Sequence, residues 1–178
     1  MQDILFKTND YVFSYRVAGI LIRNGKVLLQ TPTNDTGYAF PGGHVSFGER
    51  NEDTLIREFK EEISADIKVN ELRWVGEIFF HWGDKPCHQI CLYYMITLVD
   101  DTQIPLEGSF IGKEAIEGQN FDKEFHWIPL SEIDKCKIYP SNAKGLLKSI
   151  DNGVQHVCLS GVRVKVVQRR ERSVNSFS

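Results

Sequence analysis

Apolar residues recur at helical spacing in one segment of the chain, which lies between two regions where their spacing is typical of strands. In this segment, Gly42 to Ala65, an acidic first turn at Glu49, Glu52 and Asp53 suits the positive end of a helix. Four apolar residues then recur every three or four positions: Leu55, Ile56, Phe59 and Ile63. Because side chains at this period share one helical face, the pattern predicts a helix with these four residues toward the core.

Strands are predicted on both sides of this helix. Phe13 to Ile22 is apolar and β-branched, Asn24-Gly25 is a strong hairpin signal, and Lys26 to Thr31 supplies the second strand of the hairpin. The other segments predicted to be extended are Asp66 to Val69, Glu71 to His81, Cys87 to Val99, Phe125 to Ile128, Val154 to Ser160 and Val162 to Val167. A helical turn at Leu130 to Ile133 and a helix at Ser141 to Ile150 complete a mixed order that indicates an α/β architecture.

Three segments lack a regular pattern. Residues 1–12 form a lead-in segment, and residues 168–178 form a polar tail that we expect to fray. Asp100 to Lys123 is mostly polar, dotted with glycine and longer than most connections, so we expect a loop that is either mobile or functional. The 178 residues are enough for one good core, and we expect a single domain over the whole chain.

Composition narrows the classes of function. With 42% hydrophobic and 25% charged residues the chain is predicted to be globular, and its net charge of −3 gives no general reason to bind nucleic acid or a membrane. No apolar run approaches the ~20 residues of a membrane span, and the first residues do not resemble a secretory signal, so we expect a cytoplasmic protein. The C-terminal basic residues are interpreted as solvated, since the whole chain is acidic: Arg163, Lys165, Arg169, Arg170 and Arg172.

The four cysteines are expected to be free thiols. Cys87, Cys91, Cys136 and Cys158 contain no CxxC pair, and a reducing cytosol disfavours disulfides. A zinc site involving His81 and His88 is also disfavoured, because Cys87 and Cys91 would lie about 13 Å apart on a strand that rises roughly 3.3 Å per residue.

Three glutamates share a stripe beside the apolar face of the predicted helix. Glu58 is related to Glu61 by i,i+3 and to Glu62 by i,i+4. Like charges at this spacing each cost a helix about 0.2–0.5 kcal/mol, so the arrangement is unfavourable unless a cation offsets it. Arg57 is one candidate for that cation and a metal ion is the other, whereas the ordinary alternative is a solvated acidic face. Clustered carboxylates bind hard divalent cations such as Mg²⁺, and this ion points to phosphate chemistry.

The spacing of these residues matches a longer pattern, Gly-x5-Glu-x7-Arg-Glu-U-x-Glu-Glu, in which U is apolar. Its specified positions are Gly43, Glu49, Arg57, Glu58, Phe59, Glu61 and Glu62, and Pro41-Gly42 precede them. This segment resembles the signature box of the Nudix, or MutT-like, hydrolases. The family pattern ends in x-Gly-U, whereas this chain reads Ile63-Ser64-Ala65. Since serine adopts a left-handed helix cap less readily than glycine, we expect a shifted helix end without loss of chemistry.

The resemblance implies a fold and a reaction. The fold is a Nudix-type α/β/α sandwich, with a mixed sheet between helices and the box forming a loop-helix-loop. The reaction is hydrolysis of a phosphoanhydride bond in a nucleoside diphosphate linked to another moiety, such as a nucleoside triphosphate or a nucleotide sugar, with Mg²⁺ or Mn²⁺ as cofactor. Family members are often homodimers, so a homodimer is possible for this chain.

The resemblance also implies roles for single residues. Glu61 and Glu62 would be the principal metal ligands, Glu58 a further ligand or the general base, and Gly43 a ligand through its carbonyl. Glu49 and Arg57 would orient the cluster through charge-assisted hydrogen bonds. An additional loop glutamate completes the site in several family members. Here Glu117 is the first candidate for it and Glu124 the second, although loop solvation is the more ordinary explanation for either one.

The sequence leaves two questions open. ADP-ribose-hydrolysing members carry a proline downstream of the box, and dinucleoside polyphosphate hydrolases carry a tyrosine there. Neither residue has a clear counterpart in Glu77 to Gly83. Both substrates are therefore less favoured for this chain, although neither is excluded. A non-catalytic Nudix-type domain that binds a nucleotide as a sensor is the alternative function. Every carboxylate of the box is present, and this favours the enzyme.

Overall fold

The computed structural model of the chain describes residues 2–31, 36–116 and 119–160. The strands are β1 (Leu5–Lys7), β2 (Val12–Arg23), β3 (Lys26–Gln30), β4 (Tyr38–Ala39), β5 (Ile67–Trp82), β6 (Lys85–Leu98), β7 (Ser109–Ile116), β8 (Gln119–Pro129), β9 (Ile138–Tyr139) and β10 (Gln155–Ser160). Two α-helices, α1 (Asn51–Ile63) and α2 (Ala143–Lys148), and a 3₁₀ helix (Leu130–Lys135) accompany them. Val162 to Val167 and the predicted tail lie outside the described residues.

The strands form a mixed sheet in the order β10-β5-β6-β2-β3-β4-β9, with β1 beside β2 and the β7–β8 hairpin beside β3. The long strand β2 joins the two halves of this sheet. It runs parallel to β6 over Val12 to Leu21, and its end turns back into β3 through Asn24 and Gly25. Both turn residues have positive φ, 49° and 70°, as a two-residue hairpin of this kind requires. The predicted hairpin is therefore confirmed.

Two hydrophobic cores cover opposite faces of the sheet. Along β2 and β3, alternate residues contribute to different cores, because successive side chains of a strand point to opposite faces. Val17 and Leu28 pack with α1, whereas Ile20 and Leu29 pack with α2 and the 3₁₀ helix. The sheet thus lies between helices, and the predicted α/β sandwich is confirmed.

The segment Asp100 to Lys123, expected to be a loop, is largely a β-hairpin. Strand β7 pairs antiparallel with β8, and Phe110 stacks on Phe125 with ring centroids 5.5 Å apart. One face of this hairpin packs on the core and the other faces solvent, where Ile111 is 57% exposed. The exposed polar face and the glycines conceal the strand pattern in the sequence. The lead-in segment is also more ordered than expected, since Leu5–Lys7 pairs with β2.

The helix α1 ends at Ile63, so the predicted shift of its end is wrong. Ser64 takes the left-handed conformation itself, with φ 57° and ψ 24°. Its backbone N–H donates to the Lys60 carbonyl at 3.1 Å, and the Ala65 N–H donates to the Phe59 carbonyl at 3.2 Å. These two bonds cap the helix as a glycine would. The prediction for Ile56 is also wrong, because this side chain is 43% exposed.

The expectation for the cysteines is confirmed, since all four are free. Cys87 and Cys91 are buried in the sheet, where burial raises the pKa of each thiol to about 11. In the described part of the chain, no helix is long and apolar enough to cross a membrane.

Candidate active site

The loop before α1 is held tightly against strand β2. Gly42 has φ 147°, and a Cβ there would lie 2.2 Å from the Val17 carbonyl oxygen, so only glycine fits. Arg16 donates from Nη2 to the Gly42 carbonyl at 2.9 Å, and the Val17 N–H donates to the Gly43 carbonyl at 3.0 Å. The sheet therefore fixes the backbone on which the first residues of the predicted site lie.

Gly43 lies directly against the carboxylate of Glu58. A Cβ at Gly43 would be 2.0 Å from Oε1 of Glu58 and 2.1 Å from its Cδ. A side chain at this position would displace the carboxylate. The missing side chain thus lets the Glu58 carboxylate pack onto the Gly43 peptide, which explains the glycine in physical terms.

One guanidinium binds three of the glutamates predicted for the site. Arg57 donates from Nε to Oε1 of Glu49 at 2.9 Å and from Nη2 to Oε2 of Glu49 at 3.1 Å. Its Nη1 donates to Oε1 of Glu58 at 2.7 Å and to Oε2 of Glu61 at 3.2 Å. We call these four residues, Glu49, Arg57, Glu58 and Glu61, the arginine cluster. Arg57 therefore offsets the repulsion between the glutamates, as one of the two candidate cations named from the sequence.

Glu49 is the fixed member of the arginine cluster. Its side chain is 7% exposed, and it also accepts from Thr54 Oγ1 at 2.9 Å and from the Ser46 N–H at 3.4 Å. The Arg57 hydrogen bonds lower the pKa of Glu49, and the hydrogen bonds to Glu49 raise the pKa of Arg57. Both groups are therefore charged at neutral pH, and the bidentate pair orients the guanidinium.

Glu58 differs from Glu49 in its electrostatics. Burial raises the pKa of Glu58, and the nearby Arg57 opposes this shift without cancelling it. A carboxylate with a raised pKa accepts a proton more readily near neutral pH. Glu61 is the exposed member of the cluster, with a side chain that is 60% exposed.

Glu62 pairs with a residue of strand β8. Its carboxylate forms an ion pair with the ammonium group of Lys123 in β8, and the two side chains are 6% and 4% exposed. We call these two residues the lysine pair. Lys123 is not among the residues predicted from the sequence, although its alternation with Phe125 and Trp127, two and four positions later, would place it on the buried face of a strand.

Two carboxylates of the arginine cluster, together with the Gly43 carbonyl, fit a hard divalent cation. Glu58, Glu61 and the Gly43 carbonyl are oxygen donors, and Mg²⁺ commonly binds to one or two carboxylates together with water and substrate phosphates. Among the described residues, no three His, Cys, Asp or Glu side chains are grouped closely enough to hold a metal ion alone. Glu117 lies outside the described residues. Glu124 lies in β8, where it is half exposed and 3.5 Å from Nε2 of His126.

His44, next to the site, was also missed by the sequence analysis. Its Nε2 lies 3.1 Å from Oγ of Ser14, and its backbone carbonyl accepts a 3.4 Å bond from Nη2 of Arg57. Burial, followed by the charge of Arg16, lowers the pKa of His44 to about 4. The imidazole is therefore neutral at physiological pH.

Comparison with known proteins identifies the family. The model of the NUDIX domain matches residues 14–149, which include the arginine cluster and both strands of the β7–β8 hairpin. The chain belongs to the Nudix family. As a Nudix hydrolase it is a pyrophosphohydrolase, and hydrolases of this family generally need divalent metal ions.

Relatives and a solved structure agree with this identification. The uncharacterized Nudix hydrolase YvcI of Bacillus subtilis (strain 168) is 26% identical over 69% of this chain and 70% of its own length. The RNA pyrophosphohydrolase of Baumannia cicadellinicola subsp. Homalodisca coagulata is 28% identical over 70% of this chain and 84% of its own. The crystal structure of a NUDIX hydrolase from Nitrosomonas europaea covers 85% of this chain and 81% of its own with a TM-score of 0.55, and at 17% identity it shows the shared fold.

Proposed function

We propose that this Nudix hydrolase cleaves a phosphoanhydride bond in a nucleoside diphosphate linked to another moiety, with Mg²⁺ as cofactor. A nucleoside triphosphate and a nucleotide sugar are the substrates that we place first. The observation that carries the proposal is the arginine cluster, in which one guanidinium binds three carboxylates and one of these, Glu58, packs on Gly43.

The proposed metal ligands are Glu58, Glu61 and the Gly43 carbonyl. Mn²⁺ would suit the same oxygen donors. When bound, the ion neutralises charge on the diphosphate and activates water for attack on phosphorus. Arg57 keeps the carboxylates aligned in spite of their mutual repulsion, and Glu49 fixes the guanidinium from its other edge.

Glu58 is the proposed general base. It packs on Gly43, and its raised pKa suits a group that accepts a proton from water near neutral pH. Glu61 is better suited to the role of ligand, because its greater exposure leaves the carboxylate accessible from solvent. The two glutamates share Nη1 of Arg57, so movement of one would change the hydrogen bonding of the other.

The experiment is a substrate panel measured with and without Mg²⁺. A nucleoside triphosphate, a nucleotide sugar, ADP-ribose and a dinucleoside polyphosphate are incubated with the wild type, Glu58→Gln and Glu61→Gln. We expect Mg²⁺-dependent hydrolysis of at least one compound and a roughly 10²- to 10⁴-fold loss of kcat in Glu58→Gln. Glu52→Gln is the matched control, because Glu52 lies on the same helix, is half exposed and contacts Arg50 outside the cluster.

Two results would contradict the proposal. Equal turnover by Glu58→Gln and the wild type would remove Glu58 from the reaction. Absence of hydrolysis across the panel, with retained binding of a nucleotide, would favour the nucleotide sensor instead of the enzyme.

A further inference from the structure

The lysine pair is a buried ion pair at the edge of the proposed metal site. Glu62 is one of the box glutamates, and its carboxylate contacts the ammonium group of Lys123, whereas Arg57 binds Glu58 and Glu61. Its side chain is 6% exposed, compared with 60% for the neighbouring Glu61. The two adjacent glutamates therefore lie in different environments, one open to solvent and one closed.

The fold places Lys123 beside Glu62 through a close contact between β7 and the last turn of α1. Gly112 of β7 lies directly opposite Lys123 of β8. A Cβ at Gly112 would be 2.5 Å from the Glu62 carbonyl oxygen and 2.6 Å from the Phe125 ring. Because no side chain separates the strand from the helix here, the hairpin lies close to the helix end. The position of the ammonium group is therefore set by the sheet.

The surroundings of Lys123 require a negative partner. Lys123 lies on the same face of β8 as Phe125 and Trp127, which are 0% and 5% exposed. A lysine buried among apolar side chains is stable when it is paired with a carboxylate. A divalent cation at Glu62 would compete with this ammonium group for the carboxylate, and the two positive charges would repel each other.

We propose that the ammonium group of Lys123 binds the Glu62 carboxylate in place of a divalent ion. Glu62 is then a positioning residue that anchors the end of α1 to the β7–β8 hairpin, and the divalent ion is held by Glu58, Glu61 and the Gly43 carbonyl. This inference rests on the proposed metal-dependent function, and it changes the ligand set that the resemblance to the family implied. It also gives the hairpin a role, since the hairpin fixes the helix face that carries Glu58 and Glu61.

The test measures Mn²⁺ binding without substrate, by electron paramagnetic resonance of free Mn²⁺ and by calorimetry. The main variant is the double substitution Glu62→Gln/Lys123→Met, which removes both charges together. We expect its Kd for Mn²⁺ to stay within about threefold of the wild-type value, whereas Glu61→Gln weakens binding roughly tenfold or more. A tenfold or greater loss of Mn²⁺ affinity in the folded double variant would overturn the inference.

A second variant covers the case in which the first does not fold. Glu62→Leu/Lys123→Met replaces the ion pair with apolar side chains. Such a replacement of a buried ion pair often leaves the stability of a protein unchanged or raises it. Circular dichroism and urea unfolding check that each variant is folded, and the same Mn²⁺ result is expected.

The wild-type titration separates the two proposals. If the wild type binds Mn²⁺ and either folded double variant does not, the inference fails while the proposed function stands. Absence of Mn²⁺ binding in the wild type contradicts the proposed function and removes the inference with it.

Discussion

The loop side and the hairpin side of helix α1 hold similar glutamates in different ways. On the loop side, Arg57 binds Glu49, Glu58 and Glu61 with one guanidinium, and the outermost carboxylate remains accessible to solvent. On the hairpin side, Lys123 binds Glu62 and both side chains are closed to water. The exposed carboxylate on the loop side can bind further partners, whereas the buried pair is a structural contact. The proposed chemistry therefore lies on the loop side of the helix, and the ion pair with the sheet lies on the hairpin side.

The largest expected effect comes from breaking the lysine pair on one side only. Lys123→Met removes an ion-pair partner from the buried Glu62 carboxylate, so we expect the free energy of unfolding to fall by about 3–5 kcal/mol. Urea unfolding monitored by circular dichroism measures this change. The double variant Glu62→Leu/Lys123→Met serves as the control and should lose much less. An equal loss in both variants would show that side-chain packing, not the balance of charges, determines stability at the lysine pair.

A methyl group at Gly43 should disrupt the loop side of the helix. The added Cβ of Gly43→Ala would lie 2.0 Å from Oε1 of Glu58, so the carboxylate must move. We expect a loss of about 1–3 kcal/mol in stability, as is usual for overpacking, and a fall in kcat of roughly 10²-fold. Gly145→Ala in α2 is the matched control, because no atom lies within 4 Å of a Cβ there. Unchanged kcat in Gly43→Ala would contradict the packing of Glu58 on this residue.

The neutral histidine beside the arginine cluster predicts a dependence of stability on pH. The pKa of His44 is about 4 in the folded chain and about 6.5 when unfolded, so between these values the unfolded state binds more protons. Stability therefore falls as the pH drops through this window. From pH 7.5 to pH 5 we expect His44 to account for about 2 kcal/mol of the loss. Urea unfolding of His44→Gln at both pH values should show a smaller decrease than the wild type, and an identical decrease would exclude His44 as its source.

The smallest effect is expected at the cap of α1. Ser64 has φ 57°, a conformation that glycine adopts with less strain, so Ser64→Gly should stabilise the chain by about 1 kcal/mol or less. Thermal unfolding measures this gain. The hydrogen bonds of the cap are already made, and so kcat should not change. A large change in kcat would show that the helix end positions the site more directly than its contacts indicate.

The sequence predicted the loop side of α1 better than the hairpin side, and the reason is the range of the contacts. Glu58, Glu61 and Arg57 lie within one turn of one helix, so their proximity follows from helical spacing alone. Lys123 lies 61 residues from Glu62 in a segment where polar residues and glycines conceal the strand pattern. No local pattern predicts that β7 approaches the helix at Gly112.

Local conformation also depended on contacts that the apolar repeat does not predict. Ser64 adopts the left-handed cap because two backbone hydrogen bonds hold it there, although its intrinsic preference opposes this conformation. Ile56 continues the apolar repeat of the helix, but its side chain is 43% exposed. Periodicity therefore identified the helix, while backbone hydrogen bonds determined its cap and packing determined the edge of its buried face.

The most direct test of the proposed reaction is to follow where the oxygen of water goes. The wild type is incubated with Mg²⁺ and a nucleoside triphosphate or a nucleotide sugar in water enriched in ¹⁸O, and the products are analysed by ³¹P NMR and mass spectrometry. If the arginine cluster directs water to phosphorus, one phosphate-containing product carries a single ¹⁸O, and Glu58→Gln slows its appearance by roughly 10²-fold or more. Recovery of ¹⁸O only in a non-phosphate fragment, or an equal rate in Glu58→Gln, would contradict the account.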